Sequence, residues 1–196
     1  LWPYSPVACR TSEILNYAAL YQEEDRDAIV TLAPRLTEGV APWRDADAVA
    51  AAVRGWVTGS LDQGNGDSHG VFVAVHEGHV TGFATVTTRR HFTGHMDAYI
   101  GELVVSAQVE RMGIGRALVD AAESWARDRG LQRITLETGA ANTRARNFHQ
   151  ALGYAEEEVR LSKPVSADDQ AASAVPDATV SDRGRIPERG KAADSS

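Results

Sequence analysis

The hydrophobic period changes repeatedly along the chain, and each change marks an element. Residues 14–20 read as a short strand. In 24–36, Ile29, Val30, Leu32, Ala33 and Leu36 recur at helical spacing. Gly39 and Pro42 break that pattern over 37–43. Residues 45–61, rich in Ala and Val, read as a second helix with Trp56 on its apolar side. The Gly, Asn and Asp content of 61–69 predicts a loop. Strands follow at 71–75 and 80–88, joined by a tight turn at Glu77-Gly78, and a third covers about 98–105. A long helix is expected over 113–129, closed by Gly130. Residues 134–138 read as a strand. Asn142 or Thr143 can cap a helix running to Leu152, with Gly153 as its stop. A last strand is expected at 158–162.

The order is therefore β-α-α-β-β-β-α-β-α-β. Hairpin-linked strands come first and strand–helix alternation follows, so the expected fold class is α/β with a mixed sheet and helices on its faces. This folded region is placed at 14–163. Residues 1–13 are weakly patterned and read as an N-terminal extension. The stretch 164–196 holds no aromatic residue and a single Ile, at 186. Such a composition buries too little apolar surface to offset its ordering entropy, which predicts a disordered tail.

Composition narrows the function. The chain has 196 residues, 43% of them hydrophobic, which suffices for one real core. Acidic side chains outnumber basic ones 27 to 20, a net charge of −7. No long Lys/Arg run is present, so nucleic acid is excluded as the expected partner, and an amine-bearing one is favoured. The lone cysteine, Cys9, rules out an intramolecular disulfide framework and a four-thiolate zinc site. No apolar run approaches membrane-spanning length, and the start lacks a basic-then-apolar leader. The expectation is a soluble cytoplasmic protein, monomer or homodimer, without a membrane partner.

The candidate chemistry centres on residues 104–118. A β-branched strand leads into Gly113-Ile114-Gly115 and directly into a helix. Unpaired N–H groups and the positive dipole end at such a junction form an anion site. Glycines at 113 and 115 would let a phosphate approach the backbone, and Arg111 and Arg116 add charge on either side. The P-loop pattern is absent, and the dinucleotide fingerprint fails because Leu118 stands where a third Gly is needed. The Gly-X-Gly turn by itself is equally compatible with tight packing.

Two motifs in order extend the picture. Glu110-Arg-Met-Gly113-Ile-Gly115 resembles the phosphate loop Gln/Arg-x-x-Gly-x-Gly/Ala of the GCN5-related N-acetyltransferase superfamily, with Glu at its first position. Asn142-Thr-Arg-Ala145-Arg-Asn-Phe148-His149-Gln-Ala-Leu-Gly153-Tyr154 is similar to that family's second motif, with His149 in place of Tyr. The resemblance covers about residues 21–163. It implies an acyl-CoA N-acyltransferase fold with acetyl-CoA as co-substrate. Backbone N–H groups over Arg111, Met112, Gly113, Ile114, Gly115 and Arg116 would hold the pyrophosphate. The pantetheine arm would pair along Leu103, Val104 and Val105. Asn142 would orient that arm, with Ala145 and Phe148 beside it. The acceptor amine would approach from the elements built by residues before about 90.

Aminolysis of a thioester is helped by a base and by an acid for the thiolate. Glu102, in a strand whose apolar faces predict a central, buried place, is the base candidate, because burial raises a carboxyl pKa. Strict alternation pairs Glu102 with Val104 on one face, and a bulge near 102–104 would change that face. The resemblance makes His149 the acid candidate, as a group readily protonated near neutrality. The alternatives are a structurally paired Glu102 and a merely cleft-lining His149. His91, His95 and Asp97 lie together off any predicted helix, without an obvious further ligand, so no metal site is expected. Loop 62–67 lacks calcium-loop spacing. Trp43 and Trp56 fall on helices flanking the acceptor side, with Trp56 expected in the core. Two functions remain open: an N-acetyltransferase acting on a primary amine of a small molecule or protein, or a non-catalytic acyl-CoA-binding module.

Overall fold

Alternating β-branched residues build the centre of the molecule. The computed structural model describes residues 17–165. It contains β1 (Tyr17–Leu20), α1 (Arg26–Leu32), α2 (Ala46–Gln63), β2 (His69–His76), β3 (His79–Arg90), β4 (Met96–Val105), α3 (Ile114–Asp128), β5 (Ile134–Leu136) and α4 (Thr143–Ala151). The five strands form one sheet in chain order. Its first three pairings are antiparallel and β4–β5 is parallel, with α3 as the crossover. Parallel neighbours need such a crossover, whereas the β2–β3 connection is a tight hairpin with Gly78 at φ +78°.

Each face of the sheet carries its own core. Beneath α3, Phe72, Ala84, Val86, Ala98 and Ile100 meet Ile114, Leu118, Ala122 and Trp125. Under α1 and α2, Val71, Val73, Val75, Phe83 and Val104 meet Ile29, Val53, Val57 and Leu61. Each fully buried Val, Leu, Ile or Phe among them contributes roughly 1.5–3 kcal/mol.

Four expectations change. The helix expected over 24–36 is a 3-10 turn, then α1, then a second 3-10 turn at Ala33–Thr37. Pro34, which lacks an N–H, explains the change of winding. Trp56 is not in the core: it points outward from α2 and is 61% exposed, while Val53 and Val57 supply the buried stripe. Trp43 is also exposed and sits in the turn before α2, whose cap is Asp45 accepting from the Ala48 N–H. The strand expected at 158–162 does not form. Compact units divide the chain into Leu1–Ala155 and Glu156–Ser196, and in the second the described residues 156–165 are exposed without helix or strand. Three consecutive glutamates, Glu156 to Glu158, leave only Val159 and Leu161 as apolar alternates, too small a stripe to order the backbone. The expected extension 1–13 lies outside the described residues, and so does the expected tail from residue 166 on.

Candidate active site

The sheet opens where β4 outlasts β5. Pairing between them runs from Ala98–Ile134 to Ile100–Leu136 and stops, while β4 continues to Val105. The strands therefore part beyond Ile100. A cleft of about 160 Å3 fills the gap, lined by Ile100, Gly101 and Leu103 of β4, by residues 136–139, and by Asn142, Ala145 and His149. Of the three β4 residues expected to carry the pantetheine, Leu103 lines this cleft. Leu103 and Val105 pack toward α3, and Val104 is buried on the α1–α2 face.

The Gly-X-Gly turn lies close to the end of β4, where Gly115 approaches Val105 and Phe148. Gly113 is the N-cap of α3 with φ +83°, a left-handed conformation that a β-branched residue resists, and no side chain caps the helix. Arg111 also has positive φ, +64°. The first N–H groups of α3 thus lack a side-chain acceptor, which is the form that suits an anion. Gly115 has a different reason for being glycine: a Cβ there would lie 3.2 Å from the Phe148 ring. The two motifs therefore touch, one supplying space and the other the ring. Arg116 forms a fork with Asp120 along its own helix, at 2.9 and 3.1 Å. Arg111 and Met112 are exposed beside the turn.

Glu110, where the motif calls for Gln or Arg, is held by two arginines, each at 2.7 Å: Arg35 from the segment after α1 and Arg144 from α4. Both arginines also bind Glu38, at 3.1 and 3.0 Å. Charge at the phosphate loop is thereby balanced within the protein.

Asn142 caps α4 by accepting the Ala145 N–H at 3.0 Å, and its amide donates to the Glu38 carbonyl at 3.3 Å. His149 is buried, meets Phe148 and Tyr154 edge-on, and has an Nδ1 without a hydrogen-bond partner. Burial pushes its imidazole below the ordinary histidine range, so it is neutral at pH 7. That corrects the expectation of ready protonation near neutrality. Burial also pushes the Tyr154 phenol up, aided by Glu123.

Glu102 lies on the other side of the sheet. The β3–β4 register passes from Ala84–Leu103 to Val86–Ile100, so Thr85 opposes two residues, Gly101 and Glu102. This is a β-bulge, and it reverses the alternation of β4. Ala98 and Ile100 face α3, but Val104 faces α1 and α2. A Cβ on Gly101 would meet Thr85 Oγ1 at 3.0 Å, which favours glycine in the bulge. The Glu102 carboxylate accepts from the Thr85 hydroxyl and, at 3.2 Å, from Ser60 of α2. His69 stands nearby, its Nε2 3.0 Å from the Ser60 carbonyl, and burial lowers its pKa despite the opposing field of Glu102. The structure thus brings Leu103, Asn142, Ala145 and His149 into one cleft and sets Glu102 across the sheet from it.

His91 and His95 face each other across the β3–β4 hairpin, the His91 N–H donating to the His95 carbonyl at 2.9 Å. Asp97 is buried in β4. Among the described residues no three His, Cys, Asp or Glu side chains gather as a metal site. Sequence reasoning missed Arg35, Glu38, Ser60, Thr85 and Glu137. None belongs to a motif, and only the fold brings them to the site. Glu137 directly follows β5, lines the cleft and pairs with Arg89 at 3.0 Å.

The fold that carries this cleft has known counterparts. The acetyltransferase (GNAT) family model matches residues 17–154, and the chain belongs to that family. Aminoglycoside N(6')-acetyltransferase type 1 of Salmonella typhimurium is 26% identical over 91 residues, 44% of this chain and 63% of that protein. The Klebsiella aerogenes protein of the same name is 34% identical over 84 residues, 41% of this chain and 55% of its own. The match therefore spans less than two thirds of either relative. The solved aminoglycoside N-acetyltransferase AAC(6')-Iy in complex with CoA superposes with a TM-score of 0.55 at 20% identity, covering 81% of this chain and 99% of that one. At that identity the likeness is one of fold.

Proposed function

We propose that the protein transfers an acetyl group from acetyl-CoA to a primary amine. The observation carrying this reading is the cleft that opens beyond Ile100–Leu136 beside the uncapped N-terminus of α3. An extended arm pairing with the free edge of β4 past Ile100 would lead from pyrophosphate at residues 111–116 to a thioester near His149. The buried, unpartnered Nδ1 of His149 at this cleft fits a polar ligand atom. The cleft residues fit the cofactor in chemistry, with backbone donors for phosphate and an apolar floor for the arm.

The amine would come from the α1–α2 side, where the bulge places Glu102. Its nitrogen attacks the thioester carbonyl carbon, a C–N bond forms and the C–S bond breaks. The amine attacks in its neutral form, and Glu102, positioned by Ser60 and Thr85, takes the proton its nitrogen sheds as the C–N bond forms, directly or through water. Neutral His149 donates a hydrogen bond to the departing sulfur, which as a thiolate leaves readily. A cationic, aminoglycoside-like amine is the acceptor class that the relatives' names and the chain's net charge of −7 both favour.

The test is release of free CoA thiol from acetyl-CoA with a panel of amines, aminoglycosides included. Amine-dependent release supports the transferase. CoA binding without release for any amine would favour the non-catalytic module instead.

A further inference from the structure

The segment 35–40 leaves the α1 side of the molecule and crosses to the opposite wall of the cleft. It begins inside the 3-10 turn Ala33–Thr37 and turns at Gly39, whose φ is +82°. The Glu38 carbonyl accepts from the Asn142 amide. At Gly39 the backbones are in contact. A Cβ there would lie 2.4 Å from the Asn142 Cβ, and a Cβ on Gly139 would lie 2.0 Å from the Gly39 carbonyl oxygen. Arg35, Leu36, Glu38 and Val40 form one wall of the cleft, opposite β4, β5 and α4. Its roughly 160 Å3 falls short of the ~300–1,000 Å3 of pockets that hold small ligands.

A closed ring of charges holds this segment down. Glu38 and Glu110 each bind both Arg35 and Arg144, all four contacts lying between 2.7 and 3.1 Å. The ring joins three separate elements: the crossing segment, the phosphate loop and α4. Arg144 and Glu38 are exposed while Arg35 and Glu110 are half-buried, and ion pairs of exposed partners are individually weak and screened, which suits a fastening that must also release. Asn142 is committed in the same way, since its amide holds the Glu38 carbonyl where a bound arm would need it.

We propose that segment 35–40 is a strap closed over the cofactor cleft, latched through Glu110, and that CoA enters after the latch opens. The CoA part rests on the function proposed above. The departure at the phosphate loop then has a purpose. A neutral or basic residue at 110 would not tie Arg35 and Arg144, whereas Glu110 holds both beside the place the pyrophosphate would occupy. Once the latch has opened, a bound pyrophosphate competes with Glu110 for the two arginines, so bound CoA keeps the latch from closing again.

Two variants of the full-length chain attack the strap independently. Glu110→Gln removes the latch charge, and Gly39→Ala forces a Cβ against Asn142 without altering any charge. Amide hydrogen exchange in the free protein is read over residues 35–40, with the melting temperature as a folding control. Both variants are expected to speed that exchange at least fivefold while remaining folded. CoA association is then followed by stopped-flow fluorescence, with Trp43 beside the strap as reporter. In the wild type the observed rate should level off as CoA rises, with opening as the limit, and both variants should raise the plateau at least threefold. Unchanged exchange in both variants overturns the latch. Faster exchange with an unaltered, non-saturating association rate overturns the gating. If the wild type binds no CoA, the proposed function fails, and with it the strap's cofactor role; the exchange data alone then decide the latch.

Discussion

At the scale of single residues, His149 shows how burial reassigns a role. As a sequence position it reads as a protonated acid substituting for Tyr. In the cleft, desolvation lowers its pKa, so the imidazole is neutral where the enzyme would work. An acid that needed the charged form would lose activity as pH rose through that lowered pKa. A neutral donor predicts a different result. His149→Phe should lower kcat about tenfold, below the ~10²–10⁴ range for general acid–base groups, as fits a donor that gives a hydrogen bond and transfers no proton. CoA affinity should hold, and the kcat profile between pH 6.5 and 8 should keep its shape. A wild-type alkaline limb that disappears in the Phe variant would restore the charged acid. Stability gives a second reading with a fixed sign. The unfolded chain binds the proton at ~6.5 and the folded chain only lower, so the unfolded state gains protons first. The stabilisation is therefore complete above pH ~6.5 and is lost as pH falls below it. Melting curves from pH 7.5 to 5 should show a shallower decline in His149→Phe than in wild type. His69, buried beside Ser60, titrates in the same direction and should leave a residual slope.

At the scale of elements, the periodic stretches were legible and the irregular ones were not. Strands β2 to β4 and helices α2 to α4 lie within a few residues of their expected bounds, because a two- or 3.6-residue period is written directly in the sequence. The bulge at Gly101–Glu102 was foreseen only as an alternative, since alternation fixes a face until one extra residue reverses it. The absent strand at 158–162 was misread because Val159 and Leu161 alternate like a strand but carry no pairing partner. The site divides along the same line. Gly113, Gly115, Asn142 and His149 sit in motifs and could be found. Arg35, Glu38, Ser60 and Thr85 come from distant segments that tertiary packing alone brings together. The α3 junction allows a direct test. Gly113 caps the helix at φ +83°, so Gly113→Val combines backbone strain with a side chain placed where phosphate would approach. Calorimetry should show at least a tenfold loss of CoA affinity, about 1.4 kcal/mol. Undiminished affinity in a folded Val variant would remove the junction as the phosphate site.

At the scale of the whole molecule, the sheet with two covered faces was readable from element order, and the division of labour between its faces was not. One face carries the cleft against α4 and the other carries Glu102 against α2, so a reaction joining them must work across the parted edge of β4. Composition adds two expectations at this scale. A chain ending at Lys163 should melt within a few degrees of the full chain and bind CoA equally, because 164–196 offers little apolar surface for packing. The second concerns charge. A net −7 surface draws a polycationic amine toward the protein, and mobile salt screens that attraction, with a Debye length of about 10 Å at 0.1 M. CoA is anionic and feels the opposite sign away from the phosphate loop. Raising ionic strength from 0.02 to about 0.5 M, over which the screening length falls severalfold, should therefore raise KM for an aminoglycoside severalfold. KM for a monoamine of single charge should change far less, and KM for acetyl-CoA should not rise in parallel through long-range repulsion. Steady-state kinetics at fixed saturating acetyl-CoA separates these effects. A KM for the polycation that stays flat across that range would show that recognition is local to the cleft and owes nothing to the acidic surface.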